Sequence, residues 1–238
     1  MRHTIVFLLL LCCGPARAAA VSPPVASATL PAVAAHFETT HCAIPCKKPV
    51  SRQWHLLRDG QTIELRGDGA PFSELWRRLG DGRIDYVYVM HDERRAIEYS
   101  PVDLTLIGRE PDWARIGALL APADLERLKR GSAGRHAGLA TRRYTGTLGS
   151  AKIDVAWIPD LALPARLQYR YPDQTVTIRL LRRHAGAPPV APTTAATLAG
   201  YQLVDYADIG DMEEDAQAQT WIRKAAAAPG HLHQGHGH

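Results

Sequence analysis

The sequence predicts an α+β protein built on one curved antiparallel sheet, a half-open barrel of about nine strands with a short helical plug and a C-terminal helix. Apolar and polar residues alternate over 152–158, 166–171 and 175–181, as in strands that bury one face and leave the other in water. Turn sequences separate these segments, and the apolar spacing changes to the helical period between Pro111 and Leu120. The helix is therefore expected to cover the apolar face of the sheet.

The first half of the sheet is predicted from turns and alternation. Asp59-Gly60 suits the positive φ values of a type I′ turn, and Gly80-Asp81-Gly82 marks a second hairpin. In the strand that ends at Met90, both rows of side chains contain apolar residues, so we expect it to be central and covered on both faces. The strands predicted here are 54–58, 61–66, 74–79, 83–90 and 95–100.

The second half begins with the helical plug. Trp113 and Ile116 fall at helical spacing, and Pro122 suits the first turn of another short helix. Strands resume at 142–148. The predicted organisation is a signal peptide at 1–20, an N-terminal arm at 21–50 with a short helical turn near Leu30–Phe37, the half-barrel domain at 51–183, a linker at 184–200, and an acidic, helical extension with a His-rich tail at 201–238.

The first twenty residues have the features of a secretory signal, namely a charged start, a short apolar run and a small-x-small motif. Cleavage is predicted near Ala18 or Ala20. Lipidation at Cys12 or Cys13 is the alternative, although the small residues usual before a lipidated cysteine are missing. No later stretch is long and apolar enough to span a membrane, so we expect a soluble, periplasmic protein.

The charge of the chain argues against nucleic acid as a partner. The formal charge of +4 includes two arginines of the predicted signal peptide, so the mature chain is nearly neutral.

Cys42 and Cys46 are the cysteines that remain after cleavage. In an oxidising compartment, such a pair most simply forms a disulfide across a small loop. A copper or zinc site that also uses His41, or a redox pair, remains open, although two thiols alone are a weak metal signal.

Several segments resemble the periplasmic outer-membrane lipoprotein carriers. Trp157-Ile158-Pro159-Asp160, Leu163-Pro164-Ala165-Arg166-Leu167 and the hairpin that leads to Val176-Thr177-Ile178 are similar to the second half of that fold. Residues 98–104 and the helix after them are similar to its middle. The resemblance covers roughly residues 54–181. It implies a half-open antiparallel barrel whose concave apolar face, closed by helices, holds an acyl chain or another apolar ligand.

The main functional hypothesis is an exported protein that binds a lipid or acyl ligand, or a lipidated partner, in the concave face; other partners in the cell envelope fit the same hypothesis. We find no catalytic motif and expect no enzymatic activity and no required cofactor. Large aromatic side chains of the predicted inner face line the cavity in this hypothesis, although each also suits simple core packing. These residues are Tyr86, Tyr88, Trp157, Tyr169 and Tyr171.

The alternative hypothesis is a periplasmic protein that binds a transition metal through its C-terminal tail, with the cysteine pair as further ligands. Neutral imidazole suits copper, zinc and nickel. The tail histidines are His231, His233, His236 and His238. An acidic cluster around Asp211 and Glu214 fits either a hard cation or the start of a helix.

Overall fold

The computed structural model describes residues 30–209 and 219–221, and in them one twelve-stranded sheet dominates. Its strands are β1 (Val33–Ala43), β2 (Val50–Arg58), β3 (Thr62–Gly67), β4 (Phe72–Arg78), β5 (Ile84–Met90), β6 (Arg95–Tyr99), β7 (Lys129–His136), β8 (Leu139–Leu148), β9 (Ala151–Ile158), β10 (Leu163–Arg170), β11 (Gln174–His184) and β12 (Gln202–Asp205). The helices are α1 (Pro101–Leu106), α2 (Trp113–Ala118), α3 (Pro122–Glu126), α4 (Ala195–Ala199) and α5 (Tyr206–Ile209), with a 3₁₀ turn at Pro159–Leu161.

The strand order is β12-β6-β5-β4-β3-β2-β1-β11-β10-β9-β8-β7. The described part of the chain enters the sheet in its middle at β1 and runs outward through β6. It then crosses by way of α1, α2 and α3 to the opposite edge and returns through β7–β11, so that β11 pairs with β1. Neighbouring strands are antiparallel except β12, which pairs with β6 in parallel. The three crossing helices therefore cover one face, here called the inner face.

The main core lies between the inner face and the crossing helices. One residue from each of five neighbouring strands stands in a single cross-strand row, because successive strand pairs keep their register. This inner row consists of Arg58, Ile63, Trp76, Tyr86 and Tyr99. All five side chains are buried, and the segment that crosses from α1 to α3 contributes Leu104, Trp113, Ile116 and Leu120 to the same core.

The opposite, outer face is covered over part of its width. Residues 185–194, here called the strap, lead from β11 to α4 across this face. The strap is fixed where the backbone N–H of Thr193 donates to Glu64 Oε2 over 2.7 Å and the hydroxyl of Thr193 donates to Glu64 Oε1 over 2.8 Å. Leu198 of α4 then packs on Val87 and Val89. As predicted, β5 is covered on both faces.

Arg58 connects the sheet to its cover. The side chain is 4% exposed, and its guanidinium donates to the carbonyl oxygens of Pro31 over 2.7 Å, Leu161 over 2.6 Å, and Gly117 in α2. Burial lowers the pKa of Arg58 to about 10, so the group remains charged at neutral pH. The helix comes so close that a Cβ on Gly117 would lie 2.9 Å from Cδ1 of Ile63. Glycine at this position therefore permits the contact.

Two sequence predictions about the fold were wrong. The helical turn near Leu30–Phe37 is absent: residues from Val33 onward form β1, the central strand, because Val33, Ala35 and Phe37 alternate inward and pair with strands on both sides. The strand count of nine was too low. The added strands are β1, β7 and β12; exposure along most of β7 hides any alternation, and β12 has four residues.

The remaining predictions about the fold are confirmed in outline. The antiparallel sheet, the predicted hairpins and the short helices after Pro111 are present, and Cys42 and Cys46 form a disulfide with their Cα atoms 5.3 Å apart. The sheet is wider than the predicted domain at 51–183, since β1 and β12 lie beyond it. In the described residues, no helix is long and apolar enough to cross a membrane. The predicted signal peptide and most of the C-terminal extension lie outside these residues.

The role of Arg58 can be tested by Arg58→Met, which keeps much of the side-chain length but leaves three carbonyl oxygens without their donor. Each unsatisfied buried acceptor costs about 1–3 kcal/mol, so we expect the free energy of unfolding to fall by at least about 3 kcal/mol in urea titration. Arg52→Met, at an exposed position of the same strand, should change it by less than about 0.5 kcal/mol. Equal effects of the two substitutions would contradict the anchoring role.

Candidate functional site

Four aromatic rings stand side by side at the β6 end of the inner row. Trp76 and Tyr86 are cross-strand partners whose ring centroids lie 4.4 Å apart, and Tyr86 and Tyr99 are partners at 5.2 Å. Tyr206 of α5 stacks on Tyr99 at 4.4 Å. These four residues are called the aromatic cluster below. Because the sheet register holds three of the rings, their relative positions are fixed by the backbone.

The aromatic cluster contains polar atoms with no partner. Trp76 Nε1, Tyr86 Oη and Tyr99 Oη are buried, and none has a hydrogen-bond partner among the described residues. Buried polar groups are hydrogen-bonded in the large majority of cases, and an unpaired one costs about 1–3 kcal/mol. Three unpaired groups on neighbouring rings therefore require an explanation, and a ligand that accepts hydrogen bonds supplies one.

Charged side chains next to the cluster influence its chemistry. Glu74 lies one row from Tyr86 on the inner face and is 1% exposed. The pKa of Tyr86 is raised well above its ordinary value, first by burial and then by the negative charge of Glu74, while Arg109 acts in the opposite direction. Burial and Glu74 also raise the pKa of Tyr88 to about 12. The phenols therefore stay neutral at physiological pH and can donate hydrogen bonds.

The arrangement suits a neutral oxygen acceptor. Two phenol hydroxyls and one indole N–H can all donate to a carbonyl oxygen. The aromatic and aliphatic side chains around these donors give the site an apolar lining. An ester or amide carbonyl at the end of an apolar molecule combines the two properties.

Helix α1 covers this end of the inner face. The Ser100 hydroxyl accepts from the backbone N–H of Asp103, whose carboxylate accepts from the backbone N–H of Ser100, so the helix starts with a capping box. Leu104 points into the core, whereas Val102 and Leu106 are 59% and 78% exposed. A helix of six residues has little stability of its own, so its position depends on the packing of Leu104.

The five aromatic residues predicted to bind the ligand fall into two groups within the same core. Tyr86 and Tyr88 lie on β5, in and beside the aromatic cluster. Trp157 and Tyr169 lie on the inner face of β9 and β10, and Tyr171 stacks on Tyr169 at 6.2 Å. The ring contacts given above do not join the two groups. The binding role of all five residues stays a prediction.

Sequence reasoning missed Trp76, Tyr99, Tyr206 and Glu74. No pattern within a single segment of the sequence marks any of these residues. The cluster forms because β4, β5 and β6 pair in one register and Tyr206 of α5 stacks on Tyr99. The spacing of the two hairpins is the signal that could have placed Trp76 opposite Tyr86.

The metal hypothesis based on the sequence gains no ligands from the cysteines. Cys42 and Cys46 are bonded to each other, and a metal site needs free thiolates. The disulfide prediction is therefore confirmed, and a metal or redox use of the reduced pair stays a prediction. The four tail histidines and the Asp211–Glu214 region lie outside the described residues.

Comparisons with known proteins give distant structural similarities. No family model and no curated protein matches the chain. Among solved structures, PNGF-II has a TM-score of 0.43 and 10% identity over 76% of this chain and 32% of its own. The Pseudomonas aeruginosa MucA/MucB complex has a TM-score of 0.38 and 15% identity over 72% and 58%. A putative outer membrane lipoprotein-sorting protein domain from Vibrio parahaemolyticus has a TM-score of 0.28 and 10% identity, over 63% of this chain and 83% of its own.

The chain thus spans about a third of the length of PNGF-II. The lipoprotein-sorting domain carries the name of the class that the sequence resembles. At these TM-scores and identities, no residue role passes from the solved structures to this chain.

The unpaired hydroxyl of Tyr86 leads to a prediction about stability and pH. At pH 7, Tyr86→Phe should leave the free energy of unfolding unchanged or raise it, because the lost hydroxyl has no partner. Tyr201→Phe, which removes the 3.2 Å hydrogen bond to His91, should lower it by about 0.5–1.5 kcal/mol.

At high pH, Tyr86→Phe should differ from the unmodified protein in how its stability depends on pH. The pKa of Tyr86 is raised in the folded state, so above about pH 10 the unfolded chain binds fewer protons and stability falls as the pH rises. Tyr86→Phe should make that fall shallower in urea titrations at about pH 9 and about pH 11. A loss of stability at neutral pH would show that the hydroxyl is satisfied, and an unchanged alkaline slope would contradict a raised pKa of Tyr86 in the folded state.

Proposed function

We propose that this is an exported binding protein that holds an apolar molecule with an uncharged ester or amide end on the inner face of its sheet. The polar end lies at the aromatic cluster, and the apolar part lies along the core between the sheet and α1. This class of ligand includes lipids and acylated proteins.

The observation that carries the proposal is the set of three unpaired polar atoms on Trp76, Tyr86 and Tyr99. At a core position where a tyrosine hydroxyl would have no partner, phenylalanine gives a lower free energy because it carries no unsatisfied hydroxyl. Hydrogen bonds to a carbonyl oxygen would satisfy the three donors, and the apolar surroundings would strengthen these bonds. The ligand's own apolar area then adds about 25 cal/mol per Å² removed from water.

Access to the aromatic cluster requires the cover to move. Helix α1 is the part of the cover best suited to move, because it is short and exposes Val102 and Leu106 on its outer side. These two residues are four positions apart and therefore lie on the same side of the helix. In this proposal α1 shifts to admit the ligand, and the exposed pair meets the apolar surface from which the ligand comes.

Export and the absence of catalysis are part of the proposal. The charged start, apolar run and small-x-small motif within residues 1–20 support export through a secretory signal. Binding without turnover is supported by the chemistry of the cluster: the phenols of Tyr86 and Tyr88 are held neutral, and neutral phenols are poor nucleophiles.

The test uses a fluorescent long-chain acyl methyl ester and the double variant Tyr86→Phe/Tyr99→Phe. Both rings and their packing remain, but two donors are lost, so we expect the dissociation constant of the ester to rise roughly tenfold while the fold is retained. The free fatty acid should bind the unmodified protein more weakly than its ester, because its carboxylate would lose its hydration in the apolar core. Tyr144→Phe, on β8 in the other half of the sheet, should bind the ester as the unmodified protein does.

Two results would contradict the proposal. One is a folded protein that binds neither the ester nor the acid. The other is a double variant that binds the ester with unchanged affinity, which would place the ligand away from the aromatic cluster.

A further inference from the structure

One edge of the sheet is a strand with a free side. β7 is the last strand in the strand order, and within the described residues it pairs with β8 alone. Every residue from Lys129 to Arg135 is exposed, and His136 is half-buried. Alternate residues of such a strand point their backbone N–H and C=O groups away from the neighbouring strand. β7 therefore offers a row of hydrogen-bond donors and acceptors to a further strand.

The middle of β7 is open to an approaching backbone. Residues 131–134 read Gly-Ser-Ala-Gly, so no bulky side chain stands beside the row, and no proline removes a donor from it. The pairing with β8 shifts its register between Arg130 and Ala133. At this place a cleft of about 350 Å³ opens on the outer face. Its lining comes from four strands and consists of Ser132, Ala133, Gly134, Thr141, Arg143, Asp154, Ala156 and Arg166.

The edge hairpin, which consists of β7, β8 and the turn between them, is strongly basic. Residues 129–148 contain no aspartate or glutamate, and their cations are Lys129, Arg130, Arg135, Arg142 and Arg143. Within the described residues, Arg143 is the member of this set that forms an ion pair, with Asp154 of β9 at 2.7 Å. Arg166 adds a further positive charge at the cleft. The edge is therefore positive overall and attracts an anionic partner.

The same charges disfavour a second copy of this chain as the partner. Two β7 strands joined in antiparallel fashion would place the Lys129–Arg130 end of one against the Arg135 end of the other, and a parallel pair would set identical cations side by side. Like charges directly opposite each other destabilise a strand pair. Such charges are a common protection of edge strands against pairing with copies, but they leave the edge open to a segment of opposite charge.

The free backbone favours a polypeptide over a bilayer. A lipid surface has no row of N–H and C=O groups that could pair with β7. The large hydrophobic side chains that are exposed in the described residues all lie in other segments, so the edge hairpin offers no apolar anchor for a membrane. An extended peptide, in contrast, can use both the backbone row and the positive charge.

We propose that β7 accepts an extended acidic segment of a partner protein as an additional strand of the sheet. Backbone hydrogen bonds to β7 hold the segment, and its carboxylates meet the cations of the edge hairpin. Side chains alternate along the added strand, so those on one side point toward the cleft that contains Arg143 and Arg166. The aromatic cluster involves β4, β5 and β6 in the other half of the sheet, so the partner leaves the inner-face site free.

The test uses the full chain and a fluorescent octapeptide of four Glu-Thr repeats, whose binding is followed by fluorescence anisotropy. Two further peptides separate the contributions. A peptide of four Lys-Thr repeats reverses the charge, and a Glu-Thr peptide with every backbone nitrogen methylated keeps the charge but cannot donate hydrogen bonds. We expect the dissociation constant to rise at least about tenfold for each of them. Hydrogen exchange at the amides of residues 129–136 should slow when the Glu-Thr peptide binds.

Substitutions locate the surface. Arg130→Gln/Arg135→Gln removes two exposed cations of β7 and should weaken binding of the Glu-Thr peptide at least about fivefold, since both charges attract its carboxylates. Arg52→Gln/Arg83→Gln is the matched control, because it removes two exposed arginines from β2 and from the turn between β4 and β5. The control should bind the peptide as the unmodified chain does.

Several results would overturn the proposal. They are no binding of the Glu-Thr peptide, equal binding of its methylated form, equal binding by the two double variants, and slowed exchange only outside β7. Sedimentation with phosphatidylglycerol vesicles and the oligomeric state of the chain are measured alongside. Binding to the vesicles without binding to the peptide, or dimers in which the β7 amides are protected, would assign the edge to a bilayer or to a second copy instead.

Discussion

A single buried cation holds the described structure together. Arg58 stands where the central strands meet the cover, and its guanidinium donates to carbonyl oxygens before β1, in α2 and in the 3₁₀ turn. These three acceptors are separated in sequence, and none belongs to the strand that carries Arg58. The charge is compensated by oriented carbonyl dipoles, which is why the group can stay ionised at 4% exposure. The position of α2 over the sheet depends on this interaction.

The same cross-strand row continues from the anchor to the aromatic cluster. Arg58, Ile63, Trp76, Tyr86 and Tyr99 follow one another across five strands, so the spacing of the rings is set by the pairing that also positions Arg58. At the β6 end of the row, α1 instead of α2 covers the sheet. No buried cation lies beneath α1 among the described residues. The rigid part of the inner face thus lies next to a part whose short cover and unpaired donors suit ligand binding.

The two faces of the sheet favour different chemistry. On the inner face, the polar atoms of the aromatic cluster are donors in an apolar environment, which suits a neutral carbonyl. On the outer face, Glu64 and Thr193 fix the strap, and His36 and His55 line the cleft beside it. Because adjacent residues of a strand point to opposite faces, Trp54 and His55 serve the core and the outer cleft from neighbouring positions.

Much of the sheet could be predicted from the sequence, because alternating apolar and polar residues along a strand indicate which of its faces is buried. The segment that contains Ile153, Val155 and Trp157 is buried on one face as its pattern indicates. The pattern failed at β7, which is exposed along most of its length, and at β1, where an alanine-rich region before it favoured an arm. Tyr86 was identified as a candidate, but its neighbours Trp76 and Tyr99 were not, since no single segment carries information about register.

The central claim, that the inner face holds an apolar molecule, is tested most directly by the mass of the protein isolated from its native source. Mass spectrometry under non-denaturing conditions should show a complex heavier than the protein chain alone, and denaturation should release an acyl ester or amide. A preparation that is fully folded and carries only the mass of the protein chain, even when it is isolated without detergent or organic solvent, would contradict the claim.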